Sequence, residues 1–141
     1  MNGAEIIAQA RTYIGRGIKY ELGADDLTPP DLALDCSAFV WRVLGERKFD
    51  GRRWRNTDWI VGDALGAQTR FVKLDKPEPG CIAVYGRRLN GGKVGHVAVV
   101  VDPKARTIID CSDSQNGVTE HDGSYFWRRA ARGRALWVRL K

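Results

Sequence analysis

One cysteine and one histidine in this sequence have the chemical types and surroundings expected of a covalent catalyst. Cys36 stands between Asp35 and Ser37, where an apolar segment with helical periodicity begins. At the first turn of a helix, unpaired backbone N–H groups and the positive end of the helix dipole favour a thiolate. The same N–H groups can stabilise an oxyanion that develops on an attacked carbonyl. Cys36 is therefore a candidate nucleophile.

A nucleophilic thiol needs a base close by, and His96 is the candidate for that role. It follows Gly95 and opens the run 96–101, which is rich in β-branched residues. A histidine at the entrance of a strand can reach a helix end that packs on the sheet. Both candidates also have a structural interpretation, since free cysteine is among the most buried residue types and a lone histidine is more often structural than catalytic.

The base in turn needs a group that accepts a hydrogen bond from its other ring nitrogen. Asp110 ends the strand that follows the one carrying His96. If these two strands form a hairpin, one register places Asp110 opposite His96, and the adjacent register places it opposite residue 97. The sequence does not fix the register. Asp110 is the first candidate, Asp113 is the second, and a backbone or amide group is the third.

The elements that would position these residues differ between the two halves of the chain. Apolar residues at three- and four-residue spacing predict helices in the first half, and Asp35 is a suitable N-cap for the second of them. The predicted helices cover residues 3–15, residues 35–45 and a short segment that follows residues 56–57. Residues 18–34 are rich in turn-forming types and predict a loop.

Runs of β-branched and aromatic residues predict strands in the second half. These runs are residues 70–74, 81–85, 96–101, 107–110 and 135–140. Turn residues at 89–93 predict a hairpin between the second and third of these strands. Helices that precede an antiparallel sheet indicate the α+β class. The length of 141 residues fits a single domain over residues 1–141.

Composition and charge limit the classes of partner. The 23 basic residues exceed the 17 acidic ones, and the formal charge of +6 favours an anionic partner such as nucleic acid, a membrane surface or an acidic cell-wall polymer. Arginines cluster at residues 51–56, 85–88 and 127–134, without a nucleic-acid-binding motif in its required context. No apolar run is long enough to cross a membrane. We therefore expect neither nucleic-acid binding nor membrane insertion.

The cysteine pattern does not indicate a disulfide framework or a metal site. The three cysteines are widely spaced, no pair has CxxC spacing, and His96 and His121 are the only histidines. A closed zinc site would need ligands from distant parts of the chain. We expect Cys81 and Cys111 to be buried space-filling residues, and we expect no metal.

Five stretches of the sequence, in order and spacing, resemble the NlpC family of bacterial cell-wall cysteine peptidases, whose members share a papain-like core. The stretches are YIGRGIKYELG, LDCSAFVWRV, PEPGCIAVYG, GHVAVVVD and TIIDCSD, and they extend over nearly the whole chain. The resemblance implies hydrolysis of an amide bond in the peptidoglycan stem peptide, by Cys36 as nucleophile and His96 as general base, without a cofactor. Asp110 stands where the family commonly has a histidine, and Cys81 stands where it usually has an aspartate.

The resemblance also implies residues that bind the substrate. Tyr20 would lie near the thiol and bond to the site or the substrate. Asp35 and Ser37 would flank the nucleophile and bind the substrate amine, although the main role expected of Asp35 is that of an N-cap.

Other functions and settings fit the same sequence features. An acyltransferase could use the same Cys–His core, and a non-catalytic wall-binding module or phage structural module could use the same fold. The N-terminal residues lack the basic start and continuous apolar block of a secretory signal. We therefore expect synthesis in the cytoplasm without a secretory signal. We also expect a monomer. It would reach the cell wall by non-classical export, phage delivery or lysis, or would act on wall peptides in the cytoplasm.

Overall fold

The computed structural model of the protein describes residues 1–46 and 56–141. The described residues form four α-helices, which are α1 (Gly3–Arg11), α2 (Cys36–Val43), α3 (Thr57–Leu65) and α4 (Ser124–Ala131). The first three correspond to the predicted helices, although α1 ends earlier than predicted, and α4 was not predicted. The arginine cluster at residues 51–56 lies outside the described residues, apart from Asn56 at its end.

Nine strands form two sheets within the described ranges. Three strands of two residues each lie in the segment predicted to be a loop, and they are β1 (Lys19–Tyr20), β2 (Asp25–Asp26) and β3 (Ala33–Leu34). The other six are β4 (Phe71–Leu74), β5 (Ile82–Tyr85), β6 (His96–Asp102), β7 (Thr107–Ser112), β8 (Gly117–Asp122) and β9 (Leu136–Leu140). These six pair antiparallel in the order β4-β9-β5-β6-β7-β8. The predicted α+β class is confirmed, with β8 as an additional strand.

Helices cover both faces of the six-stranded sheet. Helices α1, α2 and α3 contact one face, where Phe39 of α2 packs in a buried core with Val97 and Ile109 of the sheet. On the opposite face, Phe126 of α4 is fully buried against a second apolar cluster. Cys81 and Cys111 are free and buried, as predicted. No helix in the two described ranges is both long and apolar enough to span a bilayer.

The register between β6 and β7 differs from both registers considered from the sequence. Val99 pairs with Ile109 and Val100 with Ile108, and a bulge follows before Asp102 pairs with Thr107. Continuing the ladder by one residue places Asp110 opposite residue 98, not opposite residue 97 or His96. The bulge adds one residue to β6, which shifts the pairing of every residue beyond it.

Candidate active site

Cys36 is the first residue of α2, where the sequence predicted it. Asp35 is the N-cap, and its Oδ1 accepts a hydrogen bond from the backbone N–H of Ala38 at 2.8 Å. This cap fixes the start of the helix and leaves the thiol on the first turn, close to the positive end of the helix dipole. Cys36 is 6% exposed.

His96 begins β6 and faces the α4 side of the sheet. Its ring stacks on Phe126, with 5.9 Å between ring centroids and 20° between ring planes. Gly95 precedes it where no larger residue fits, because a Cβ there would collide with the carbonyl oxygen of Tyr85. Tyr85 pairs with His96 across β5 and β6. Packing and the strand pairing therefore hold the imidazole in one orientation.

Asp110 is fully buried and bonds to two histidines. Its Oδ2 lies 2.7 Å from Nε2 of His96, and its Oδ1 lies 2.7 Å from Nε2 of His121. The Tyr125 hydroxyl makes a longer contact with Oδ2, at 3.4 Å. Although Asp110 is not directly opposite His96 in the ladder, the two lie on the same face as diagonal neighbours, which are within reach of long side chains.

The protonation states of this group follow from its contacts. Burial alone would lower the pKa of His96, but hydrogen bonding to Asp110 and Cys36, together with the negative charges of both, raises that pKa to about 10. Burial would raise the pKa of Asp110, but the bonds from His121 and His96 outweigh it and lower that pKa below its usual value. At neutral pH the site therefore favours an imidazolium between a buried carboxylate and the thiol of Cys36.

The two ring nitrogens of His96 have different surroundings. Because Nε2 bonds to Asp110, Nδ1 is the nitrogen left to exchange a proton with Cys36, whose side chain acts on the pKa of this ring. An imidazole held at one nitrogen by a carboxylate presents the other to a nucleophile in a fixed tautomer. The arrangement thus has the connectivity of a nucleophile, a base and an orienting acid.

An open cleft of about 310 Å³ lies beside the imidazole, and three tyrosines are among its lining residues. Tyr20, Tyr85 and Tyr125 line it together with His96, and Asp113 is exposed at its edge. Burial raises the pKa of Tyr20 to about 12, and the nearby charge of Cys36 adds to this effect. Tyr20 is therefore close to the thiol and stays protonated as a hydrogen-bond donor. Its role in substrate binding stays a prediction.

Asp35 and Ser37 interact mainly with the protein itself. Besides capping α2, Asp35 accepts hydrogen bonds from the backbone N–H of Gly23 at 3.1 Å and from the Ser37 hydroxyl at 3.1 Å. Ser37 is buried, and neither residue lines the cleft beside His96. These contacts account for Asp35 as an N-cap that also ties the preceding loop to α2. The predicted binding of a substrate amine by the two residues stays a prediction.

The sequence interpretation missed His121 and Tyr125, which complete the surroundings of Asp110. His121 lies on β8 and Tyr125 on α4, and neither element was predicted. The available signal was the second histidine itself, close in sequence to a run of aromatic residues. Asp113, the alternative orienting residue, is exposed and has no described hydrogen bond to His96, so the structure brings Asp110 and not Asp113 to the imidazole.

We expect His121 to act on the imidazole through Asp110. Replacing it with phenylalanine would remove the donor to Oδ1 and leave the buried carboxylate less well oriented. By analogy with partners that orient metal ligands, kcat should fall about tenfold or more with little change in KM. His121→Gln, whose amide can still donate, should retain more activity than His121→Phe. The melting temperatures of the three proteins should be recorded as a control for folding. If they are similar and both variants are as active as the wild type, His121 does not influence the site.

Comparisons with known proteins place this geometry in a family. The family model of the CHAP domain matches residues 28–116, which include Cys36, His96 and Asp110 but not His121. A search of curated proteins found no match. Solved structures support the fold independently of the family model.

Three similar structures share the fold at low sequence identity. The NlpC/p60 domain of the peptidoglycan hydrolase SagA is 24% identical with a TM-score of 0.54, over 89% of this chain and 93% of that one. NlpC1 from Trichomonas vaginalis is 22% identical with a TM-score of 0.55, over 89% of this chain. NlpC2 from the same organism is 21% identical with a TM-score of 0.52, over 85% of this chain. The chain spans 40% of each Trichomonas protein.

These structures confirm the predicted likeness to the NlpC fold with its papain-like core. The matching family model covers well over half of the sequence and includes each residue of the predicted catalytic set. The chain belongs to the CHAP domain family.

Proposed function

We propose that this protein is a cysteine-type peptidoglycan hydrolase that cleaves an amide bond in the stem peptide. The main structural support is the imidazole of His96, which interacts with Cys36 at the start of α2 and is hydrogen-bonded to the buried carboxylate of Asp110 at 2.7 Å. Membership of the CHAP family and the fold shared with the NlpC/p60 domain of a peptidoglycan hydrolase support a cell-wall amidase or peptidase.

The proposed first step is acylation of the enzyme. The Cys36 thiolate attacks the amide carbonyl carbon, and the carbonyl oxygen takes up negative charge that the N–H groups at the start of α2 stabilise. The imidazolium of His96 then donates its proton to the amide nitrogen as the C–N bond breaks, and the amine leaves. A thioester between Cys36 and the acyl part of the substrate remains.

The second step releases the acid and regenerates the enzyme. The neutral imidazole takes a proton from water, and the resulting hydroxide adds to the thioester carbonyl. Collapse of the tetrahedral intermediate expels the Cys36 thiolate, and the proton stays on His96, which restores the starting pair. Asp110 stabilises the imidazolium and fixes its tautomer without being protonated itself.

Digestion of purified peptidoglycan tests this proposal. We expect the protein to release stem-peptide fragments whose masses identify the cleaved bond, and we expect prior alkylation with iodoacetamide to stop the release. In heavy-oxygen water the new carboxyl group should contain the heavy isotope, since hydrolysis draws its oxygen from solvent. Products joined to an added amine instead would indicate an acyltransferase. Absence of any product from folded protein would contradict the proposal.

A further inference from the structure

A second cavity lies outside the catalytic cleft and is lined by positively charged side chains. Its volume is about 470 Å³, and it lies between the 3₁₀ turn Arg87–Leu89, the loop that follows this turn, and the C-terminal part of α4. Among the residues that the structure describes, four charged ones line it: Arg88, Lys93, Arg129 and Arg134. We name it the basic cavity.

The positive charge of the basic cavity is not neutralised within the described part of the chain. None of its described lining residues is acidic, and none of the four cations forms an ion pair with another described residue. Like charges gathered in a concave site focus the local field and raise the local concentration of anions. The cavity is therefore suited to an anionic ligand.

Arg129 is held in place at the inner wall of the basic cavity. Its Nη2 donates to the carbonyl oxygen of Leu89 at 2.9 Å, and its guanidinium carbon lies 3.7 Å from the centre of the Tyr85 ring. Its Nε is buried without a hydrogen-bond partner among the described residues. A cation held by stacking and by a backbone bond loses little further freedom when it binds an anion.

Tyr85 connects the basic cavity with the catalytic cleft. Tyr85 lines the cleft and pairs with His96 across β5 and β6, and its ring stacks against Arg129, which lines the basic cavity. The two concavities are therefore neighbours, separated by the contact between Tyr85 and Arg129.

We propose that the basic cavity binds an oxyanion of the wall substrate, a carboxylate or a phosphate, while the neighbouring amide is cleaved; this inference rests on the proposed function. Arginine and lysine recognise both groups through charge-assisted hydrogen bonds. Carboxylates occur along the stem peptide, and phosphates occur in anionic polymers attached to the wall. A confined cavity beside the cleft favours one such group over a nucleic acid, which requires an extended series of phosphate contacts.

The test compares two double variants that lose the same charge. Arg88 and Arg134 are exposed and line the basic cavity, whereas Lys76 and Arg132 are exposed and do not. We expect Arg88→Gln with Arg134→Gln to weaken sedimentation with insoluble peptidoglycan about tenfold and to raise KM similarly with kcat nearly unchanged, since about 1.4 kcal/mol corresponds to a factor of ten. Lys76→Gln with Arg132→Gln should leave both quantities close to wild type.

Treated substrates distinguish the two sources of the oxyanion. Hydrofluoric acid removes phosphate polymers from peptidoglycan. If phosphate is the ligand, the two double variants should bind this treated peptidoglycan with equal affinity. Chemical amidation of the stem carboxylates should equalise the two affinities if carboxylate is the ligand. Equal affinities of the two double variants for untreated peptidoglycan would overturn the proposal. The proposal would also be overturned, in favour of a nucleic-acid site, if the wild type bound DNA more tightly than peptidoglycan and only Arg88→Gln with Arg134→Gln lost this DNA binding.

Binding and cleavage are measured separately, so the two proposals can fail separately. If the wild type binds peptidoglycan through the basic cavity but releases no fragments, the hydrolase proposal fails and the cavity proposal stands. If fragments are released while Arg88→Gln with Arg134→Gln matches the wild type in KM and in affinity for peptidoglycan, only the cavity proposal fails.

Discussion

Replacement of Cys36 by alanine is expected to abolish fragment release from peptidoglycan, with a loss of at least about four orders of magnitude in kcat. Removing the nucleophile of a unit that includes a base and an orienting acid costs nearly the whole contribution of that unit. The substitution removes one sulphur atom from the first turn of α2 and leaves the cap at Asp35 intact. We therefore expect binding to insoluble peptidoglycan to persist while cleavage is lost.

Cys81 offers a matched control for this experiment. It is also a free, buried cysteine, but burial raises the pKa of its thiol to about 12, and it packs in the cluster under α4. Cys81→Ala should keep its kcat close to wild type, and iodoacetamide should label Cys36 before Cys81. Fragment release by folded Cys36→Ala at the wild-type rate would rule out Cys36 as the nucleophile.

Replacement of Asp110 by asparagine should lower kcat by about three to four orders of magnitude. The carboxylate accepts a hydrogen bond from His96 at one oxygen and another from His121 at the other oxygen. Asparagine has one acceptor oxygen, so its NH₂ group would face one of the two rings and demand the opposite tautomer there. Loss of the correct tautomer is the costly effect of such a substitution in a nucleophile–histidine–acid arrangement.

Two measurements separate this effect from simple unfolding. Asp110 is 0% exposed, and a poorly paired buried group costs about 1–3 kcal/mol of stability, so the melting temperature must be recorded with kcat. Asp113→Asn is the matched control, because Asp113 was the alternative orienting residue and is exposed at the edge of the cleft. A larger loss of kcat in Asp113→Asn than in Asp110→Asn would assign the orienting role to Asp113.

The positions of Cys36 and His96 in the fold were predictable because the residues next to each of them carry strong local signals. Asp35 has a side chain suited to capping, which favours a helix that begins at Cys36. His96 follows a glycine that the close approach of Tyr85 requires, and it precedes a valine-rich run that favours a strand. Both signals lie within a few residues of the functional side chain.

The register of Asp110 was not predictable because the bulge has no sequence signal. The turn after β6 is held by Oδ1 of Asp102, which accepts from the backbone N–H groups of Lys104 and Ala105. Arg106 then adopts a positive φ of 59°, a conformation usually marked by glycine or asparagine. Without such a residue, counting from the turn gave two registers, and the structure has neither.

The elements that carry His121 and Tyr125 were missed for a different reason. β8 has exposed and partly exposed residues along most of its length, so its sequence lacks the alternation typical of a half-buried strand. Helix α4 buries Phe126 alone among its eight residues and is rich in arginine, which led to its interpretation as part of a charged surface cluster. In both cases tertiary contact, rather than local pattern, determines the structure.

The complete burial of Asp110 has a consequence for how ionic strength should act on the enzyme. At physiological salt the screening length is about 8 Å, and counterions weaken interactions between charges that water can reach. Asp110 is fully buried, and the side chains of its partners His96 and His121 are only 15% and 20% exposed, whereas exposed cations such as Arg88 and Arg134 line the basic cavity. If the basic cavity binds the wall polymer as proposed, salt should screen that binding and leave the orientation of the imidazole almost unchanged. At high salt we therefore expect KM for peptidoglycan to rise while kcat stays close to its low-salt value.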